Sequence, residues 1–382
     1  MRRALILAGL LASAGVAGAA NAQEVTAGGS IEARLGFGDN PYLRLGSLGT
    51  SGLAGGTLTG WLRRRTETSA TSLTGVASVD QNFSHYGRPE NYLASIEHQQ
   101  TFSAKLSGSA QLRYQDSINP RDFTDLGGTN VDLLSIGQRS RTIAGSGTLQ
   151  WTPTSRDSFY IGPQYSHTTY PSVALNNFDQ YGVRGGYLRQ INSKLRVGAD
   201  LSYQKVDSRN IADSESYQGG LRLEYDFNAI WRFDGSVSLI RQRSDIGGSA
   251  TTPGFTARFC GKYPRYRICV DGSRQSAGSG FGGLRTDNRV GVSVDYELSS
   301  RSRVNLTGVY DISQSSGVLS LPTQKFWEVS GGYARTISDR LSAGFSGRYQ
   351  NRDYGSLVGT GSSSVTGYSA TFDVVYKFGR LE

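Results

Sequence analysis

What this chain lacks narrows the field first. Its 382 residues include two cysteines, one methionine, nine prolines and three histidines, and nowhere do 18 apolar residues run together. Without such a run there is no membrane-spanning helix. So little proline excludes a collagen or Pro-rich architecture. The two cysteines have no second pair, and none of His85, His98 and His167 lies near them in sequence, so no zinc or other metal site is expected. Nor is a catalytic set: there is no Gly-x-Ser-x-Gly elbow and no His-Glu-x-x-His, and three scattered histidines do not supply a nucleophile, base and orienter within reach of one another. No cofactor is implied. The positive charge, a formal +9, is spread along the chain without a recognisable nucleic-acid module, which argues against a nucleic-acid partner. Hydrophobic residues reach only 37%, too few for a soluble core of this size, yet there are 50 Gly, 21 Tyr and 15 Phe. Low bulk hydrophobicity with many aromatics suits a chain whose apolar residues face outward in a thin band.

The N-terminus sets the compartment. Arg2 and Arg3, a small apolar run from Leu5 to Ala20 and the small-x-small site Ala20-Asn21-Ala22 read as a secretory signal peptide over residues 1–22. Removing it leaves 23–382 as one domain of net charge +9 less 2, or +7.

Within that domain the period is two. Leu195, Val197, Ala199, Leu201 and Tyr203 alternate with Arg196, Gly198, Asp200, Ser202 and Gln204, and Val290 to Leu298 and Tyr368 to Phe378 repeat the pattern. Residues at i and i+2 share a strand face, so each segment has an apolar face and a polar one. The segments run 10 to 14 residues, longer than globular strands and long enough to cross a bilayer at a tilt. Short turns, such as 152–156, 191–193, 228–230 and 338–340, alternate with longer polar links at about 38–50, 80–89, 117–135, 169–177, 207–214, 244–284, 315–323 and 353–364. The expected fold is therefore all-β: a closed transmembrane antiparallel barrel of about 16 strands (range 14–18), with short periplasmic turns and long extracellular loops, in the bacterial outer membrane.

The last strand, Thr371 to Phe378, resembles the aromatic-terminated strand by which bacterial outer-membrane proteins are recognised for insertion, although four residues follow the aromatic. With Asp39-Asn40-Pro41-Tyr42-Leu43 after a first strand, the layout resembles the β-barrel porin family associated with bacterial exopolysaccharide synthesis and secretion. That resemblance implies a pore that moves or anchors a polysaccharide at the outer membrane, with a periplasmic polysaccharide-export lipoprotein as partner.

A charged side chain facing lipid at midplane costs about 2–4 kcal/mol for Arg or Lys, so the alternation assigns charged strand residues to the lumen. That set is Arg113, Arg196, Asp200, Arg222, Glu224, Asp226, Arg232, Asp234, Asp295, Glu297, Arg348, Asp373 and Lys377. It reads either as cross-strand ion pairs that stiffen a hydrated barrel or as a selectivity lining for a charged or hydroxyl-rich solute. Tyr187, Tyr203, Trp231, Tyr296, Trp327, Tyr333, Tyr349 and Tyr376 are expected to face lipid as interfacial girdles.

One stretch departs from the pattern. Arg258-Phe-Cys-Gly-Lys-Tyr-Pro-Arg-Tyr-Arg-Ile-Cys269 concentrates both cysteines and four cations, and it falls in the longest connection, about 244–284, expected outside the cell. In an oxidising compartment Cys260 and Cys269 should form a disulfide that presents Arg258, Lys262, Tyr263, Arg265, Tyr266 and Arg267 together. Three uses remain open: pairing with lipopolysaccharide phosphates, folding into the pore mouth where it attracts acidic solutes, and binding an acidic polysaccharide or external partner. Gly278-Ser279-Gly280-Phe281-Gly282-Gly283 reads as hinges. The function expected is an outer-membrane pore for a hydrophilic solute, with two alternatives: a plugged or glycan-binding barrel, and an outer-membrane hydrolase.

Overall fold

The computed structural model describes residues 24–380 except 45, 119–136, 173–174, 209–210, 246–247, 281–282, 316–322 and 356–363; the signal-peptide segment lies outside the described residues. Eighteen strands follow one another in chain order: β1 (Glu24–Asp39), β2 (Thr50–Arg65), β3 (Ser69–Asn82), β4 (Glu90–Ser103), β5 (Leu106–Ser117), β6 (Ser140–Trp151), β7 (Asp157–Thr169), β8 (Phe178–Gln190), β9 (Leu195–Ser208), β10 (Ile211–Asp226), β11 (Trp231–Ser244), β12 (Gly248–Lys262), β13 (Tyr266–Gly278), β14 (Leu284–Ser299), β15 (Ser302–Ser315), β16 (Gln324–Ser338), β17 (Leu341–Asp353) and β18 (Ser364–Gly379). Each pairs antiparallel with its neighbours, and β1 pairs β18 from Gly28↔Gly379 to Asp39↔Tyr368, so the sheet closes on itself. Closure leaves no strand edge in lipid with unsatisfied backbone groups.

The count corrects the expectation of about 16. The extra pair is β12 and β13, which occupy the segment read as one long extracellular loop. Their outward positions are weakly apolar, with Ser249, Thr251, Pro253, Gly261 and Arg274 among them, so the alternation there is thin.

Burial is inverted relative to a soluble protein. Leu201, Leu221, Val237 and Leu239 are 64–70% exposed on the outer face, while Arg113, Glu224 and Gln242 on the inner face are nearly covered. A lipid-facing surface explains the first set and a crowded polar lumen the second. Outward aromatics gather at two levels. Tyr165 with Tyr181, Tyr203 with Tyr217 and Trp327 with Tyr349 pair near the long-loop end. Trp151, Phe159 and Tyr187, and Trp231 with Phe259, pair near the short-turn end. On β10 the two levels, Tyr217 and Tyr225, are eight residues apart, about 27 Å along a strand, which suits an apolar band ~25 Å tall.

The short turns are built by side-chain acceptors. Asn192 Oδ1 accepts the Lys194 and Leu195 N–H groups at 2.8 and 2.9 Å, and Asn228 Oδ1 does the same for Ile230 and Trp231. These side chains mimic a backbone turn, which is why Asn, Ser and Thr open such turns in the sequence.

Candidate functional site

Strand register places all thirteen charged residues singled out in the sequence on the inner face: Arg113 on β5, Arg196 and Asp200 on β9, Arg222, Glu224 and Asp226 on β10, Arg232 and Asp234 on β11, Asp295 and Glu297 on β14, Arg348 on β17, Asp373 and Lys377 on β18. They do not form one ring. The densest group centres on Glu224, whose carboxylate accepts Arg222 Nη2 at 2.8 Å, Arg232 Nη2 at 2.9 Å and Arg196 Nη1 at 3.1 Å. Arg222 also reaches Asp234, at 3.0 Å. Three adjacent strands are thereby tied by charge-assisted bonds. Two strands further, on β7, the Tyr160 hydroxyl donates to Asp200 Oδ1 at 2.5 Å, and the Arg184 guanidinium on β8 sits 5.8 Å from the Tyr160 ring centre. Across the barrel Arg34 on β1 spans β2 to reach Asp80 on β3 at 3.0 Å, and Arg348 lies 3.7 Å from Glu328. None of these five was singled out from sequence. Strand parity points Arg34, Tyr160, Arg184 and Glu328 inward as well, whereas Asp80 falls in the stretch that reads as the 80–89 link and joins the lining only because β3 extends to Asn82.

Among the described residues, two inward folds that alternation does not reveal narrow the long-loop mouth. The first is the tip of the β13–β14 hairpin. β12 and β13 pair only from Lys262↔Arg267 to Phe255↔Arg274, eight positions, the shortest ladder among the described strands. Beyond it β13 leaves the wall, stays paired with β14, and crosses to the inner surface of β8 to β10. Gly278 lies against Phe178 and Val206, Gly280 against the Tyr170 ring, and Gly283 against Ser214. A Cβ at Gly280 would stand 2.8 Å from Tyr170, so the close approach requires glycine there. Tyr170, Leu175, Phe178, Val206 and Leu284 form the apolar contact that holds the tip, and Asn176 N–H donates to the Gly280 carbonyl at 2.6 Å. Between this arm and the wall lies a cavity of about 630 Å³ lined by Arg113, Gln164, Arg184, Asp200, Arg222 and Gln275 among others.

The second fold is the β1–β2 loop, which contains Asp39-Asn40-Pro41-Tyr42-Leu43. Leu43, fully buried, packs on Phe326 and Val365 of the inner wall. Gln350 Nε2 donates to the Pro41 carbonyl at 2.8 Å, and the Tyr354 hydroxyl donates to the Leu43 carbonyl. Asn40 clamps the loop on itself through Arg44 N–H and the Arg44 carbonyl, both at 2.9 Å. The Tyr86 hydroxyl accepts the Asn40 N–H at 2.9 Å and lies 3.0 Å from Asp39 Oδ1. Asn40, Leu43 and Tyr86 adopt φ of +44°, +49° and +68°, the positive values among described non-glycine residues. All three sit in this one knot, which stores about 1–3 kcal/mol of strain apiece and persists because packing over-determines it. Burial raises the Tyr354 hydroxyl above its ordinary pKa of 10, against the lowering pull of Arg352.

The stapled segment is not an extracellular loop. Cys260 and Cys269 are directly opposed on β12 and β13, with Cα atoms 4.1 Å apart, beside a turn at 263–265 that lies at the short-turn end with both chain ends. Its cations and rings do not gather into one presented cluster either. Arg258, Lys262 and Arg267 face inward, with Arg258 in register between Asp234 and Asp271 and Arg267 opposite Asp295. Arg265 is in the turn, and Tyr263 and Tyr266 stack on one another at 4.2 Å. What folds into the mouth is the glycine-rich tip, not the cysteine hairpin.

The histidines lie apart: His85 packs on Tyr86, His98 Nδ1 contacts Thr71 Oγ1 and His167 Nδ1 contacts Asp179. Among the described residues no three His, Cys, Asp or Glu side chains are grouped to hold a metal.

Searches of family models and of curated proteins find no match. Among solved structures, Pseudomonas aeruginosa OccK2 (OpdF) in complex with glucuronate aligns at TM-score 0.47 and 11% identity over 94% of this chain and 99% of that one. Acinetobacter baumannii OccAB2 aligns at 0.48 and 11% over 92% and 98%. The siderophore receptor PirA of P. aeruginosa aligns at 0.43 and 9% over 92% and 80%. At these values no function passes from them to this chain. The closed sheet, the outward apolar band and the paired aromatic levels themselves make this an outer-membrane β-barrel.

Proposed function

We propose that the chain forms a water-filled outer-membrane pore for a hydrophilic, hydroxyl-rich solute. The observation that carries this is the inner face: a wall of Arg, Asp, Gln, Ser, Thr and Tyr side chains around a polar cavity of about 630 Å³. Guanidinium, carboxylate and amide groups offer donors and acceptors that stand in for a sugar's hydration shell. The β13–β14 tip and the β1–β2 loop narrow the outer mouth and set the size of what passes. The family resemblance extends this reading to an exopolysaccharide, carried outward with a periplasmic export lipoprotein. Lipopolysaccharide surrounds the outer girdle on this reading.

Refolding residues 23–382 and recording currents in a planar bilayer tests it. Steady unitary steps, with dextran excluded above a sharp size limit, are expected. Bilayers that stay silent at every voltage, with folding verified by heat-modifiable mobility, would move the reading to a plugged glycan-binding barrel. That second reading draws on the two inward folds at the mouth.

A further inference from the structure

The end of the barrel that bears the chain termini is basic out of proportion to the rest. Over the eight short turns, the three strand residues on either side of each, and the two chain ends with the tail 380–382, there are seventeen Lys and Arg against eight Asp and Glu, a net +9. The mature domain carries +7, so its remaining lumen, outer mouth and loops are together net negative. With so few carboxylates present, ion pairs such as Arg380 with Glu24 at 2.8 Å cannot neutralise the excess.

Phospholipid headgroups would account for cations on the outer surface. They do not account for those on the inner lip. By strand register Arg63, Arg65, Lys262, Arg267, Arg303 and Lys377 all face the lumen and all are exposed, and Glu24, Asp295 and Glu297 opposite Arg65, Arg267 and Arg303 leave the inner lip a smaller excess of cations. Arg63, Arg64, Arg65 and Arg380, with Glu24 and Glu97, line a cleft of about 520 Å³ at the same rim. The charge therefore continues from the turns over the lip into the bore, where low-dielectric walls focus the field. A folded acidic protein could touch only the turns. A flexible chain of negative charges can lie on the turns and thread the lip.

We infer that the periplasmic mouth is a capture funnel for a linear polyanion, a carboxylated or sulfated polymer entering from the periplasmic side. This rests on the pore reading above and gives the transported polymer a charge and the pore a direction. A polyanion is drawn in at the short-turn end and meets a charge-balanced lumen beyond it, so it is concentrated at the entrance without being held along the path.

The test uses dextran sulfate and neutral dextran of equal length, added to one chamber at a time, with the turn side identified by a biotin in the Thr66–Thr68 turn. Dextran sulfate should block current from the turn side at a concentration at least tenfold lower than from the loop side, and neutral dextran should show no preference. The asymmetry should vanish in Arg63→Gln/Arg65→Gln/Lys262→Gln/Arg267→Gln and survive in Arg88→Gln, which lies in the β3–β4 loop. It should also fade between 0.1 and 1 M salt, as the screening length drops from ~10 to ~3 Å. Equal block from both sides, an asymmetry untouched by the four substitutions, or block from the turn side only by a folded acidic protein would overturn the inference while leaving the pore intact. Absence of any current would defeat the pore reading. In that case retention of the detergent-solubilised barrel on dextran sulfate resin, lost in the fourfold variant, would still support the funnel, and passage of both proteins unretained would end it.

Discussion

Glu224 centres the densest group of ion pairs on the inner face. The residue is 6% exposed, and its carboxylate holds three arginines from three strands. Glu224→Gln leaves those guanidiniums without their common acceptor and adds one positive charge to the bore. The expected results are a shift of reversal potential toward anion preference and a stability loss of about 1–3 kcal/mol, read from the heat-modifiability midpoint. Tyr354 is the corresponding residue at the mouth. Its raised pKa means that the folded state holds the proton more tightly than the unfolded chain, so this contribution is complete below pH 10 and falls as pH rises beyond it. Channel noise from the β1–β2 loop should therefore increase above pH 10 in the native protein. In Tyr354→Phe it should be raised at all pH values, with a cost of about 1 kcal/mol for the lost bond to the Leu43 carbonyl. Parity alone is enough to orient Glu224 correctly from the sequence. Nothing local marks Tyr354, because its partner is 311 residues away.

Two elements behave differently from what their sequences suggest. The β13–β14 tip is glycine-rich and reads as a hinge, but its glycines permit contact with Tyr170 and Phe178. Gly280→Leu should push the tip off the wall and enlarge the unitary conductance, a change that a mere loop hinge would not produce; unchanged conductance would count against docking of the tip. The β12–β13 hairpin reads as a loop because few of its outward positions are apolar. Its disulfide spans the shortest ladder among the described strands, so it ties the barrel where backbone pairing there is weakest. Cys260→Ser/Cys269→Ser should lose about 2–3 kcal/mol on loop-entropy grounds. Hydrogen exchange should accelerate across Phe255–Lys262 and Arg267–Arg274 first, ahead of β1 and β18.

For the whole molecule, the sequence alone determined the class of architecture: a period of two over long segments forces one apolar and one polar face, and a chain with that pattern and so small an apolar content satisfies its backbone by closing into a barrel in a membrane. The same parity decided which charged residues face inward, because a one-residue slip would turn all of them to lipid. Tertiary structure decided the rest. It converted a supposed outer loop into two wall strands, and so carried the cysteine hairpin and its cations to the opposite end of the barrel. It also brought residues hundreds of positions apart to the mouth, as when Pro41 and Leu43 meet Gln350 and Tyr354. Alternation is a property of neighbours in sequence. Which turn shares an end with which terminus depends on the number of crossings, and which loop enters the bore depends on packing between distant strands; neither is written in any local stretch of the chain.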